Sequence, residues 1–271
     1  MTGRRALKLD WNEGANAALS SEKITAEYKA LAERFGKEVR REGNARRALT
    51  SAATKLEAVY EVPLLHHATM EPMNCTADVR PTGCDVWTPT QKQSDAQALA
   101  AEITGLPKKR IRIHTPFVGG GFGRRQELDY VAEAVQLSQM VGRPVQVIWS
   151  REDDVQHGFY RPAVYNKLSA ALDDSRQLVA WTHRIVGLSI MDWKYGSLQR
   201  GVDRWLVEKA ADLPYRIPNI HVEQVIANFP VPRGFWRSTG ASHNVYVTEC
   251  FSMRSLTRPA ATRMNAPGAT A

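Results

Sequence analysis

Cysteine is scarce here: Cys75, Cys84 and Cys250 are the only three in 271 residues. They form neither a Cys-x-x-Cys pair nor an even-numbered framework, which excludes a disulfide-stapled scaffold and leaves an iron–sulfur cluster without ligands in this chain. Free buried thiols are expected. No apolar run approaches the roughly 18–20 residues of a membrane helix, so no span is expected. The start, Met1 to Gly14, is charged and has no apolar h-region, so it reads as no secretory signal and as cytoplasmic as it stands. A Gly-x-Ser-x-Gly elbow is missing, and no cysteine carries a local catalytic signature, which removes the usual footholds of hydrolase chemistry. Basic excess is absent where it would matter. The formal charge is +8, yet residues 1–50 carry 11 Lys/Arg against 7 Asp/Glu, residues 251–271 carry 3 Arg and no acid, and residues 51–250 carry 22 against 21. A body so evenly balanced offers no track for a phosphate backbone, and no nucleic-acid partner is expected.

What is present is the make-up of a globular chain, 43% hydrophobic and 24% charged, long enough for one large domain or two. Ile24, Tyr28, Leu31, Ala32 and Phe35 recur at helical spacing and predict an amphipathic helix from Ser21 to about Glu42, capped by Ser20 or Ser21. Leu56 to Val62 predicts a strand ended by Pro63. The centre then alternates: strand 84–87, helix 91–104, strand 111–115, a glycine loop at 119–123, helix 127–141 and strand 145–149. This is the pattern of an α/β unit. Residues 163–172 and 178–190 predict two strands joined through Asp173-Asp174-Ser175-Arg176. A strand near 221–227 and a helix from Val245, capped by Ser242, follow. Residues 252–271 are rich in Ala, Arg, Thr and Pro, lack apolar periodicity after Leu256, and read as a disordered tail. The expected fold is α/β, or mixed α+β, divided into a flanking segment 1–55, a body 56–251 and a tail 252–271.

The glycine loop carries the strongest chemical signal. Gly119-Gly120-Gly121-Phe122-Gly123 lies between a strand and a helix, where backbone N–H groups can close on an anion. Counting from Gly119, a dinucleotide fingerprint would need glycine at Arg124, and no Gly-Lys-Ser/Thr ending exists, so both familiar nucleotide loops fail on spacing. Arg124 and Arg125 at the loop's exit would add charge-assisted hydrogen bonds to an anion site. A tight structural turn with solvated arginines is the plain alternative. No histidine pair has recognised metal-ligand spacing: His67 and Glu71 are four apart, but Pro63 and Pro72 bracket them. Arg237 sits in Val231-Pro232-Arg233-Gly234-Phe235-Trp236-Arg237-Ser238-Thr239-Gly240, a stretch able to build an aromatic-walled pocket with one fixed positive group, or simply a surface loop.

Met70-Glu71-Pro72, Gly119 to Arg125, Trp149-Ser150-Arg151-Glu152-Asp153-Asp154, Gly158-Phe159-Tyr160-Arg161-Pro162 and Trp236-Arg237-Ser238 occur in the order of the molybdenum hydroxylases. From about Gly3 to Phe251 the chain resembles the large, molybdopterin-binding subunit of the isoquinoline 1-oxidoreductase type, within the xanthine dehydrogenase and aldehyde oxidase family. The resemblance implies part of a molybdopterin-binding domain. Its cofactor is molybdenum on a molybdopterin dithiolene, usually the cytosine dinucleotide in bacteria, so no protein side chain need ligate the metal. Gly119, Gly120, Gly121, Phe122, Gly123 and Arg124 would hold the pterin and its phosphates, with Phe122 near the metal. Gln91 matches the glutamine that hydrogen-bonds an oxygen-type ligand of molybdenum. Arg237 matches the arginine that orients substrate or stabilises developing negative charge. The implied reaction hydroxylates an electron-poor carbon of an N-heterocycle or aldehyde, with water as oxygen source. Electrons would leave through a 2Fe-2S small subunit, and a longer exported member would be periplasmic.

The departures are informative. Xanthine-type members follow the glycine loop with Gly-Lys-Glu where this chain has Arg124-Arg125-Gln126, so purine specificity is not expected. The family's glutamate base, which lies late in a longer subunit, has no counterpart here. A reading-frame shift at the Ser252 codon permits Asp-Glu-Ile-Ala-His-Ala-Ala-Gly-Arg-Asp-Pro, the family's usual continuation, so 252–271 reads as a frameshifted or misassembled end. Compatible codons in the coding DNA are the expected result. The competing readings are a non-catalytic α/β anion- or ligand-binding domain, an inactive truncated product and, more distantly, a nicotinamide dehydrogenase.

Overall fold

The computed structural model describes residues 6–12 and 14–256. In chain order the elements are α1 (Ser21–Leu31), β1 (Lys37–Glu42), α2 (Ala45–Ser51), β2 (Thr54–Val62), β3 (Asn74–Arg80), β4 (Gly83–Trp87), α3 (Gln93–Thr104), β5 (Ile111–His114), α4 (Asp129–Val141), β6 (Val145–Ile148), α5 (Arg151–Gln156), β7 (Val164–Leu172), β8 (Leu178–Leu188), α6 (Ile190–Tyr195), β9 (Asn219–Ala227) and α7 (Ala241–Leu256). They build two sheets. One has the order β1-β9-β8-β7-β2 and the other β5-β4-β3-β6. Among these strand pairs, β8 with β9 and β4 with β5 run parallel and the rest antiparallel.

Each sheet has its own apolar filling. Cys75, Ala77, Cys84 and Val86 of the four-stranded sheet, with Met73 just before β3, pack on Ala96 and Ala100 of α3 and on Tyr130, Val131, Ala134 and Val135 of α4. The five-stranded sheet packs Trp181, Ile185, Ile220 and Val222 against Val247 and Phe251 of α7, with the Trp181 and Phe251 rings edge to face at 5.0 Å. Burying side chains of this size contributes about 1.5–3 kcal/mol each. Cys75 and Cys84 are free and buried, and burial pushes their thiols up to about 12 and about 11. Among the described residues no helix is long and apolar enough to cross a membrane.

The central alternation read from the sequence is present, and the β7–β8 hairpin turns through Asp173 to Gln177 with Arg176 N–H donating to Asp173 O at 2.9 Å. Four readings need correction. The first helix ends at Leu31, because at Gly36 the backbone closes on β9: a Cβ there would meet Gln224 O at 2.4 Å. Residues 37–42 then form β1, which pairs with β9 from Lys37↔Gln224 to Glu42↔Ile220 with a register shift between Glu38 and Arg40. Phe35, assigned to the apolar helix face, is exposed beneath the Arg46 guanidinium at 4.5 Å. Helix α7 starts before Ser242, whose Oγ donates to Thr239 O inside the first turn, and it runs on through Leu256 with Ser252 and Ser255 buried. Residues 252–256 are thus helical rather than a disordered tail, and 257–271 lie outside the described residues. Strand β3 and helices α2, α5 and α6 have no counterpart among the elements expected from the sequence pattern. The α5 start is nonetheless legible: Ser150 accepts from Asp153 N–H while the Asp153 carboxylate accepts from Ser150 N–H, a reciprocal cap.

Candidate functional site: a glycine loop and an aromatic cleft

The loop between β5 and α4 is fastened from below. Gly119 N–H donates to Glu71 Oε2 at 2.8 Å, and Glu71 N–H donates to Gly119 O at 3.1 Å. Arg125 is fully buried and donates to Gly120 O (2.7 Å), Pro89 O (3.2 Å), Glu71 O (2.8 Å) and Glu71 Oε2 (2.8 Å). One guanidinium therefore ties three chain segments together. A Cβ on Gly121 would stand 2.6 Å from Gln91 Oε1 and push that amide aside, and Gly123, at φ +106°, must be bare because a Cβ would meet the backbone Phe235 O at 2.0 Å.

These close approaches aim side chains into one space. Gly123 N–H donates to Gln91 Oε1 at 3.1 Å, which fixes the amide and leaves its NH2 without a protein partner among the described residues. Helix α3 begins at Gln93, two residues later than the periodicity indicated, so Gln91 stands in the preceding loop. A cleft of about 500 Å³ is lined by Gln91, Phe122, Gly123 and Gln126 on one side and by Tyr195, Trp205, Phe235, Trp236, Arg237, Ser238 and Thr239 on the other. Arg237 is exposed and makes no ion pair among the described residues. Among the described residues no carboxylate lines the cleft. Phe122 (φ 51°), Ser238 (φ 68°) and Thr239 (φ 47°) all carry left-handed backbone, a strain that concentrates where function requires an over-determined geometry.

Gln91, Phe122, Gly123 and Arg237 are brought together. Gly119, Gly120 and Gly121 stand behind them as the loop's support, and the N–H groups of Gly120, Gly121 and Phe122 have no protein acceptor among the described residues. Arg124 is a correction. Its side chain is fully buried, donates bidentately to Asp129 at 2.9 and 2.7 Å, and is ringed by Tyr130, Trp149 and Phe159 with centroids at 5.9, 5.4 and 5.5 Å. Turning toward an external anion would take each buried guanidinium away from the acid that compensates it, at the cost of an unpaired buried charge. Tyr195 and Trp205 were not singled out. Their sequence signal is only that they are aromatic, which says nothing about what they face.

The described residues contain no group of three His, Cys, Asp or Glu side chains placed to hold a metal. His67 instead is buried with Nε2 at 2.7 Å from Phe235 O, behind the cleft wall. The family described as "Molybdopterin cofactor-binding domain" matches residues 29–257. The chain belongs to this family. As a molybdenum hydroxylase molybdopterin-binding domain it is 35% identical over 124 residues to isoquinoline 1-oxidoreductase subunit beta of Brevundimonas diminuta, covering 45% of this chain and 16% of that one. It is 30% identical over 188 residues to an aldehyde oxidoreductase molybdenum-binding subunit of Escherichia coli K12, covering 69% and 24%. Its fold matches the crystal structure of quinoline 2-oxidoreductase from Pseudomonas putida 86 with a TM-score of 0.67 at 21% identity, over 81% of this chain and 28% of that one. The chain thus spans between 16% and 28% of the length of these relatives.

Burial also sets a pH dependence. Desolvation pushes His67 down to about 4, His243 to about 4, with the Arg161 charge adding to it, and His183 to about 3. Each folded-state value lies below the unfolded one near 6.5, so the stabilisation is full above pH 6.5 and is lost as pH falls toward 4. Three such groups cost up to about 4 kcal/mol per pH unit in that window. The urea midpoint is expected to fall steeply from pH 6.5 to 4.5. A midpoint that stays flat there would contradict neutral buried histidines.

Proposed function

We propose that the cleft is one wall of a molybdopterin site, taking the cofactor as its cytosine dinucleotide form and serving hydroxylation of an aromatic N-heterocycle or an aldehyde. The observation that carries this is the convergence of Gln91, Phe122, Gly123 and Arg237, four residues from three distant segments, on one acid-free cleft. The residues fit such a group. The Gln91 NH2, the N–H groups of Gly120, Gly121 and Phe122, and the unpaired Arg237 guanidinium are donors waiting for oxygen or sulfur acceptors and negative charge. A metal arriving on its own organic ligand asks the chain for no coordinating side chain. When bound, the cofactor supplies the two-electron chemistry that places a water-derived oxygen on an electron-poor carbon.

The chain's own part is to bind and orient. Gln91, held by Gly123 N–H, presents its amide protons to an oxygen-type ligand in one fixed direction. Phe122 and Trp205 offer flat apolar faces to a planar substrate, and Arg237 offers the positive charge that steadies developing negative charge in the transition state. Gln126, a neutral amide where xanthine-type members resemble one another in a glutamate, argues for a less polar ring than a purine. Electrons would pass to a 2Fe-2S small subunit, and the relatives' names as subunits support a multi-subunit assembly.

The test is expression alongside intact molybdenum cofactor synthesis, followed by molybdenum and pterin analysis of the purified chain. Both are expected to co-purify. Arg237→Ala is expected to lower pterin retention about tenfold or more while changing stability by less than about 0.5 kcal/mol, because the guanidinium is exposed and makes no ion pair among the described residues. A folded chain that retains neither molybdenum nor pterin would favour a non-catalytic α/β binding domain.

A further inference from the structure

The two sheets end in four edge strands, β1, β2, β5 and β6. Three of them carry charge along the edge, the usual guard against pairing with another chain. β1 is charged at every position but Val39, β2 holds Lys55, Glu57 and Glu61, and β5 holds Arg112 just after Lys108-Lys109-Arg110. β6, Val145-Gln146-Val147-Ile148, has no charge at all. Its free backbone can be located. Trp149 N–H donates to Met73 O at 2.9 Å, so Trp149, Val147 and Val145 turn their N–H and C=O toward β3, and the antiparallel alternation turns those of Gln146 and Ile148 outward. Among the described residues no strand pairs with that outer side.

An apolar flank continues the edge. Trp149 Nε1 donates to Glu133 Oε2 at 2.8 Å, which places the Glu133 side of α4 toward β6. Leu137, Met140 and Val141 share that side at helical spacing and are 43, 81 and 56% exposed, and Ile148 on the strand is 64% exposed. Between Ala134 and Ser150 the only charge is Arg143. Exposed apolar residues grouped beside an unguarded edge mark a contact surface.

We infer that this surface joins two copies of the chain, β6 against β6, about a two-fold axis through Val147. Self-complementarity names the occupant. With Val147 facing its own copy, the N–H and C=O of Gln146 meet those of Ile148 on the second copy, and the reverse, so every outward group of the strand is paired. The axis stands perpendicular to the sheet, which keeps both α4 helices on one face, and Leu137 and Met140 of each reach toward the other across about 10–14 Å, two to three strand spacings. The charges agree. Arg143 of one copy falls beside the start of α5 on the other, Arg151-Glu152-Asp153-Asp154, where acids outnumber the base. The four apolar side chains expose on the order of 400 Å² per copy, so with the strand backbones the pair buries roughly 1,000 Å², the low end of a specific interface, and a weak, reversible dimer is expected. None of the cleft residues belongs to this face, and the inference stands without the molybdopterin reading.

The test is sedimentation equilibrium of the full chain from about 1 to 300 μM, with amide hydrogen exchange measured across the same range. A reversible monomer–dimer equilibrium is expected, and the amides of Gln146 and Ile148 should slow about tenfold or more as the dimer forms, while those of the charged edges β1 and β2 do not change. Gln146→Pro removes an outward N–H that β3 does not use, and Met140→Glu sets like charges across the axis. Each is expected to weaken association about tenfold or more in a chain that still folds. The exchange measurement needs no variant. A monomer throughout the range, a dimer unweakened in both folded variants, or concentration-dependent protection that lies elsewhere would overturn the inference.

Discussion

Gly123→Ala is expected to destabilise the fold by about 4 kcal/mol and to separate the two walls of the cleft. Two effects add. The residue sits at φ +106°, a conformation costing an L-residue about 1–3 kcal/mol, and its new Cβ would stand 2.0 Å from Phe235 O, so the backbone itself must move. Phe235 cannot yield cheaply. Its carbonyl accepts from His67 Nε2 at 2.7 Å, and its ring packs edge to face on Trp205 at 4.6 Å. The natural control is Gly142→Ala, where φ is +66° and nothing lies within 4 Å of the new Cβ, so only the backbone strain of about 1–2 kcal/mol is paid. Urea denaturation of both variants gives the comparison. Equal losses would mean that the glycine loop does not rest on the Phe235 carbonyl.

Arg125→Met is the second large effect, with an expected loss of about 3–5 kcal/mol. The methionine fills much of the space, but it leaves Glu71 Oε2 without its cation and withdraws donors from Gly120 O, Pro89 O and Glu71 O. Arg125→Lys is expected to recover only part of this, since one ammonium cannot reach four acceptors placed around a planar fork. A double-mutant cycle with Glu71→Gln checks the mechanism. The two losses should fall short of additive by about 0.5–3 kcal/mol, and strictly additive losses would show that the pair does not act together. Loosening this strut is also expected to lower pterin retention, because Gly119 N–H and Gly120 O hang on the same two side chains.

Arg124 and Arg125 show where sequence reasoning stops. Two adjacent arginines after a glycine loop look like anion ligands when their acids are out of view. Asp129 is five residues from Arg124, yet Glu71 is fifty-four from Arg125, and no local pattern announces that pairing. Gln91 became meaningful through resemblance, and its orientation through Gly123. Trp205 and Tyr195 had neither signal. Strand β3 was hidden for a related reason. Its inward residues, Cys75 and Ala77, are too small to stand out as an apolar alternation, and they are small because α4 packs directly on that face.

What the sequence determined by itself is whatever repeats or constrains locally: the α/β alternation from 84 to 149, the β7–β8 hairpin, the glycines where chain must approach chain, and the family these motifs belong to. The tertiary structure alone decided which charges are spent and which remain. Burial and pairing are properties of residues far apart in the chain, and they leave Arg124 and Arg125 as struts and Arg237 at the cleft with no ion pair among the described residues.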